Sequence, residues 1–278
     1  MVGIDPFPWF LNKDVTLHFG GRDTVMHIRA SEWNDYWRPL LTRLMERQTL
    51  HKKRLMVAVV GPPGSGKSFF AAQVAWMADK GFIPGSNAIA LPMDGFHYPG
   101  HVLNQKTLLL RNGERIPMKN CKGAPETIDV EALHATLERI RLGNEKLVWP
   151  DYDRKLHDVV PNGIRISSTH NLILVEGNYL LVKVPPYKGI SDIFDLRIYV
   201  EAPGPTIVTN LMNRHIEGGK TVEQAKDWVR RIDLPNARLV EGTRSSADVV
   251  VRRDRSDLLS AVTWQEAAIP AENVAKQT

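Results

Sequence analysis

One segment constrains this chain more than any other: Gly61-Pro62-Pro63-Gly64-Ser65-Gly66-Lys67-Ser68. It fits the pattern G-x-x-x-x-G-K-[S/T]. Before it runs an unbroken apolar stretch, Leu55–Val60 (LMVAVV), which reads as a strand buried on both faces. After it comes a helical stretch, Ser68–Lys80, which Gly81 can stop. In that context the loop folds so that successive backbone N–H groups point at phosphate oxygens. Glycine is favoured because side chains would block the approach. The following helix adds its N-terminal dipole. Lys67 supplies a mobile charge for the outer phosphates and Ser68 a hydroxyl for Mg²⁺. Gly61 to Ser68 and the adjoining Phe69 are therefore the expected nucleotide site, with ATP and Mg²⁺ as the expected cofactors.

The rest of the chain alternates strands with helices. Ala88–Leu91 reads as a second short strand, Leu147–Trp149, Leu172–Val175 and Leu196–Val200 as further buried strands, and Asp248–Val251 as a last strand. Asp129 or Thr127 can cap a helix ending at Gly143. A helix from about Pro205 to Ile216 precedes a capping box at Thr221-x-x-Gln224, whose helix Pro235 bends or ends. The fold class expected is α/β: a three-layer nucleotide-binding fold, mainly a parallel sheet with helices on both faces. Residues 51–255 form that domain in this reading, and 256–278 form a tail. Residues 1–50 read as an extension made of a hairpin and a helix. Strands at Asp14–Phe19 and Thr24–Ala30 flank Gly20-Gly21. Ser31 then caps a helix running to about Gln48. Its stripe of Trp33, Tyr36, Trp37, Leu40, Leu41 and Leu44 is a packing surface, with a homodimer contact as the alternative.

Four groups of residues bear on chemistry. Asp94 sits just past the second strand, where ligands gather in such sheets. It can accept the proton of an attacking hydroxyl, or simply cap the turn before Gly95. Glu176, at the end of an apolar strand, is placed to help Ser68 hold Mg²⁺ and to meet substrate, or to make a structural hydrogen bond. Arg214, Lys220, Arg230 and Arg231 surround Gly218-Gly219 and suit a lid over phosphates; solvated surface charge is the plainer reading. Tyr152, Arg154 and His157, with His97, suit a small polar acceptor, although each has a structural reading too.

Composition removes other classes. The chain has 278 residues, 43% hydrophobic and 24% charged, as a globular protein does. A single cysteine, Cys121, excludes an intrachain disulfide and a cysteine zinc cluster. Its net charge of +5 comes without a dense basic tract, so no nucleic-acid partner is expected. The sequence has no apolar run of the roughly 18 residues that cross a bilayer and no secretory-type start, so no membrane partner is expected and the location expected is cytoplasmic.

In order along residues 53–253, Gly61–Ser68, Met93–Pro99, Gly123–Asp129, Pro150–Asp158, Val175–Asn178, Ile198–Pro203 and Asn213-Arg214 resemble the P-loop kinases that include pantothenate kinase, uridine kinase and phosphoribulokinase. The resemblance implies transfer of the γ-phosphoryl group of ATP to a hydroxyl of a small polar metabolite: a nucleoside, a sugar or a pantothenate-like acid. It implies Asp94 as base, with Lys67 and Arg214 also catalytic, and it places Asn236 and Arg238 near nucleotide or acceptor. Leu211 stands where pantothenate kinase has a pocket tyrosine, and the Asn-Phe-Asp-His-Pro segment expected of uridine kinase is absent. Two other readings are an ATP hydrolase or switch acting on a partner, and a non-catalytic ATP-binding scaffold that docks through the aromatic helix.

Overall fold

Gly20 and Gly21 both have positive φ (57° and 73°), as the tightest two-residue hairpin turn requires. They join Asp14–Phe19 (β1) to Arg22–His27 (β2), with Phe19 paired to Arg22. The second strand begins and ends earlier than its alternation suggested. This is a computed structural model, and it describes residues 3–50, 54–109, 113, 115–143, 146–153, 156 and 158–265.

A helix follows, but Ser31 does not cap it. Arg29 is the extended residue before Ala30–Glu32 (α1). The exposed starting amides are met by other side chains: Asn12 accepts from Ala30 N–H and Glu32 from Arg29 N–H. A π-turn, Trp33–Trp37, leads into Arg38–Leu50 (α2). Trp33, Trp37, Leu40, Leu41 and Leu44 are fully buried. Trp37 stacks on Phe70 at 5.3 Å. The aromatic stripe is therefore core within one chain, and this removes the face that a homodimer contact or a docking scaffold would use.

The central elements are Leu55–Val60 (β3), Lys67–Asp79 (α3), Ala88–Pro92 (β4) and Gly100–Gln105 (α4). A small hairpin pairs Thr107–Leu109 (β5) with Arg115–Pro117 (β6). Asp129 accepts from Ala132 N–H and caps Val130–Leu142 (α5), as its sequence suggested. Next come Leu147–Asp153 (β7), Asp158–Ile166 (β8), Leu172–Glu176 (β9) and Leu196–Glu201 (β10). The chain continues through Gly204–Glu217 (α6), Val222–Trp228 (α7), a π-turn at Val229–Asp233 and Leu234–Glu241 (α8). It closes on Val249–Arg253 (β11) and Leu259–Trp264 (β12).

The main sheet has the order β12-β11-β10-β3-β9-β4. All its pairs are parallel except β11 with β12. Side chains alternate between two cores. Met56, Ala58 and Val60 face α5 and α8, while Leu55, Val57 and Val59 face α2 and α3. The result is the α/β three-layer fold expected.

Two strand assignments change. Leu147 and Trp149 are buried but Val148 between them is exposed, because the run belongs to a separate antiparallel hairpin with β8, not to the main sheet. Trp149 is buried through Phe96 and through its indole N–H, which donates to the Pro92 carbonyl at 2.8 Å. Within residues 256–278, β12 adds an edge strand. Its Leu259 N–H donates to buried Glu32, which also accepts from Trp37 Nε1, each at 2.8 Å. Pro235 lies in the first turn of α8, directly after the π-turn.

Candidate active site

The carboxyl ends of β3, β9 and β4 set the site. In sheet order, β9 lies between the strand that enters the phosphate loop and the strand that leads to Asp94. Glu176 is paired in register with Val59 on one side and Pro92 on the other, and it is buried. Lys67 and Ser68 open α3. Asn210 of α6 donates to the Gly64 carbonyl at 3.0 Å and ties the loop to that helix. The Phe69 ring stacks on Phe19 at 5.8 Å.

Asp94 sits in a short helical turn, Met93–Phe96. The β7–β8 hairpin fixes that turn. Phe96 meets Trp149 edge to face at 4.7 Å. A Cβ on Gly95 would come within 2.0 Å of the Pro150 carbonyl oxygen, so glycine is required there.

Asp94 opens into a cleft of about 440 Å³. Of the expected residues, Pro63, Asp94, His97, Tyr152, Arg214, Lys220 and Asn236 line it together. Lys67 and Ser68, at the start of α3, and Glu176, at the end of β9, are not among its lining residues. Arg154 and His157 fall outside the described residues. Arg230 and Arg231 are not in the cleft; both pair with Asp227 on the surface, at 3.2 and 2.6 Å. Arg238 is exposed and outside the lining.

Residues that sequence reasoning did not single out complete the walls, Arg22, Lys119, Lys122, Trp228 and Asp233 among them, together with His215 beside Arg214 and Asn178 of the Val175–Asn178 motif. Lys122 was legible only as a neighbour of the Gly123–Asp129 segment. Its ammonium lies 4.8 Å from the centre of the Tyr152 ring. Burial lowers its pKa, and the carboxylates of Asp158 and Asp94 oppose that shift. Among the described lining residues, five cations (Arg22, Lys119, Lys122, Arg214, Lys220) face three carboxylates (Asp94, Glu217, Asp233).

His97 is set close to Asp94. Its Nδ1 donates to the Thr127 carbonyl at 3.2 Å, and Nε2 stands 4.0 Å from Asp94 Oδ1. Burial holds the imidazole below its ordinary pKa; the charge of Asp94 opposes this and that of Lys122 adds to it.

On the opposite wall, buried Asp233 organises the lid candidates. It accepts from His215 Nε2 at 2.6 Å and lies 3.6 Å from Arg214. The Lys220 ammonium sits 4.8 Å from the centre of the Trp228 ring. Asn236 Nδ2 donates to the Gly123 carbonyl at 3.1 Å. Leu211 is buried with Ile207 and Val229 beside the loop, so it packs and does not line the cleft.

A second cavity, about 330 Å³, lies beside Pro62. Tyr199, Glu201, Ala202, Pro203 and Arg244 are among its walls. Arg244 and Arg252 both donate to Glu201, at 2.7 and 2.8 Å.

Among the described residues no group of three or more His, Cys, Asp or Glu side chains is placed to hold a metal. One hydroxyl and one carboxylate, Ser68 after the phosphate loop and Glu176 at the end of the neighbouring strand β9, still fit Mg²⁺, which commonly binds one or two protein oxygens together with substrate phosphates. No described helix is long and apolar enough to cross a membrane.

No family model matches the chain. It is 33% identical over 239 residues to the uncharacterized protein YggC of Escherichia coli (strain K12), covering 85% of this chain and 94% of that protein. It is 26% identical over 252 residues to pantothenate kinase of Agrobacterium fabrum (strain C58 / ATCC 33970), covering 81% and 74%. Among solved structures, a protein described as a candidate fructose transport system kinase from Silicibacter sp. TM1040 matches with a TM-score of 0.64 and 28% identity, covering 76% of this chain and 98% of that one.

Proposed function

The chain belongs to the P-loop kinases that include pantothenate kinase, uridine kinase and phosphoribulokinase, and from that premise we propose that it phosphorylates a small hydroxylated metabolite bearing an acidic group. It is a small-molecule phosphotransferase, and its family uses ATP. The observation that carries the finer reading is the shared cleft: Asp94, Tyr152 and Lys122 line it with Pro63 of the phosphate loop.

Backbone amides of Gly64–Lys67 hold the phosphates, with Lys67 as their point charge. The base of the nucleotide enters the second cavity beside Pro62. Ser68 and Glu176 hold Mg²⁺, which neutralises phosphate charge when bound. Asp94 orients the acceptor hydroxyl and takes its proton as the oxygen bonds to the γ-phosphorus and the bond to the ADP oxygen breaks. Arg214 and Lys220 close over the phosphates. That division leaves Lys122 and Lys119 for an acid on the acceptor. His97, Tyr152 and Asn236 supply polar contacts around it. Charge stabilisation and positioning carry most of the rate in this chemistry.

The test is ADP release with ATP, Mg²⁺ and matched acceptors: glycerate against glycerol, pantothenate against panthenol, sugar phosphates against the free sugars. Release with the acidic member of a pair, at least about tenfold above the neutral member, is expected. Equal use of neutral acceptors would remove the acid from the reading. Release without any acceptor would favour an ATP hydrolase.

A further inference from the structure

The N-terminal hairpin lies outside the stretch whose motifs resemble the kinases, yet its tip forms part of the cleft. Gly20, Gly21 and Arg22 all line it. The two-residue turn fixes their position. Phe19 and Arg22 are directly paired, and directly opposed residues of an antiparallel ladder project to the same face. That face is turned inward: Phe19 stacks on Phe69, the residue that follows Ser68 of the phosphate loop. The tip therefore rests against the helix that opens at the phosphates.

A second contact ties the tip to the lid side. Arg22 Nη1 lies 3.5 Å from Glu217 Oε2, at the end of α6. Arg214, three residues earlier on the same helix, lines the same cleft. Both partners of the Arg22–Glu217 pair are more than half exposed, at 51% and 65%. Such a pair contributes little, so the guanidinium can exchange it for a stronger acceptor. A planar guanidinium matches phosphate oxygens in a bidentate way that a surface carboxylate pair in water does not rival.

We propose that Arg22 is a nucleotide-binding residue, contributed by the N-terminal hairpin, which leaves Glu217 to contact the phosphates of the bound nucleoside triphosphate. The proposal rests on the reading that those phosphates occupy the Gly61–Ser68 loop.

The experiment measures binding of Mg²⁺ with the β,γ-imido analogue of ATP by calorimetry on the full chain. Arg22→Gln is expected to weaken binding at least about fivefold and to lower its salt dependence. Glu217→Gln, which only frees Arg22, should bind as well as the unaltered protein or better. The charge swap Arg22→Glu with Glu217→Arg restores the ion pair but moves the guanidinium, and it should stay as weak as Arg22→Gln. Recovery of affinity in the swap would make the pair a structural clasp and overturn the proposal. So would an unchanged affinity in Arg22→Gln. Lys67→Ala separates the two levels. If it weakens binding while Arg22→Gln does not, only the role of Arg22 falls; if neither weakens binding, the loop reading falls with it.

Discussion

Arg253 stands directly against Gly66: a Cβ on Gly66 would approach Arg253 Nε to 3.0 Å. The guanidinium is fully buried at the end of β11. Its Nη1 donates to Gln73 at 3.1 Å, Nη2 donates to the Asp257 carbonyl, and its centre lies 5.0 Å from that of the Phe69 ring. Burial pulls its pKa down, with the carboxylates of Asp257 and Glu32 opposing; a guanidinium stays charged regardless. A buried cation thus braces the first turns of α3 beneath the phosphate loop.

Gly66→Ala should therefore damage the loop twice. Gly66 has φ of 87°, where an L side chain costs about 1–2 kcal/mol. The new methyl also presses on a buried side chain that has little room to move. Nucleotide affinity should fall at least about tenfold, read by calorimetry, with a lower unfolding temperature. Arg253→Met should destabilise the fold by about 3 kcal/mol, the scale of breaking a buried charged network.

Asp233→Asn tests the lid wall. Asparagine can still accept from His215, so the unfolding temperature should hold. Its lost charge loosens Arg214, 3.6 Å away. Turnover should drop about tenfold, with the acceptor KM little changed. An acceptor KM that rises while kcat stays constant would place Arg214 on the acceptor and not on the phosphates.

The sequence made some of this legible and hid the rest for identifiable reasons. The phosphate loop could be read because its glycines, Lys67 and Ser68 are adjacent and each has a local role. The Asp129 cap and the Thr221–Gln224 capping box were legible for the same reason. Leu147–Trp149 misled because a short apolar run is the same whether it joins the main sheet or a hairpin capped by Phe96. The pairing of β12 depends on Glu32, 227 residues away from Leu259. No local pattern reveals such a contact. Arg22, Lys119 and Lys122 are ordinary surface-type cations until the fold brings two distant segments to one cleft.

His97 gives a pH prediction with a defined sign. Its folded-state pKa lies below the ordinary value near 6.5, so the unfolded chain binds more protons as pH falls through that value. The stability it contributes is complete above about pH 6.5 and is lost on acidification below it, by at most about 1.4 kcal/mol per pH unit. His97→Gln should remove that share of the slope in denaturant melts between about pH 7 and pH 5. An identical slope in both proteins would mean that His97 is as protonatable folded as unfolded.

Lys122→Gln separates acceptor from nucleotide. The acidic acceptor's KM should rise at least about tenfold, while affinity for the ATP analogue stays within about twofold. Loss of nucleotide affinity instead would assign Lys122 to the phosphates.

On the proposed reading Asp94 takes the proton of the acceptor hydroxyl. The most direct measurement is turnover of Asp94→Asn beside its ATP-analogue affinity, with whichever acceptor supports ADP release. Turnover should be at least about a hundredfold lower, with nucleotide affinity within about twofold of the unaltered protein. Turnover at the unaltered rate in Asp94→Asn would remove Asp94 from the proton transfer.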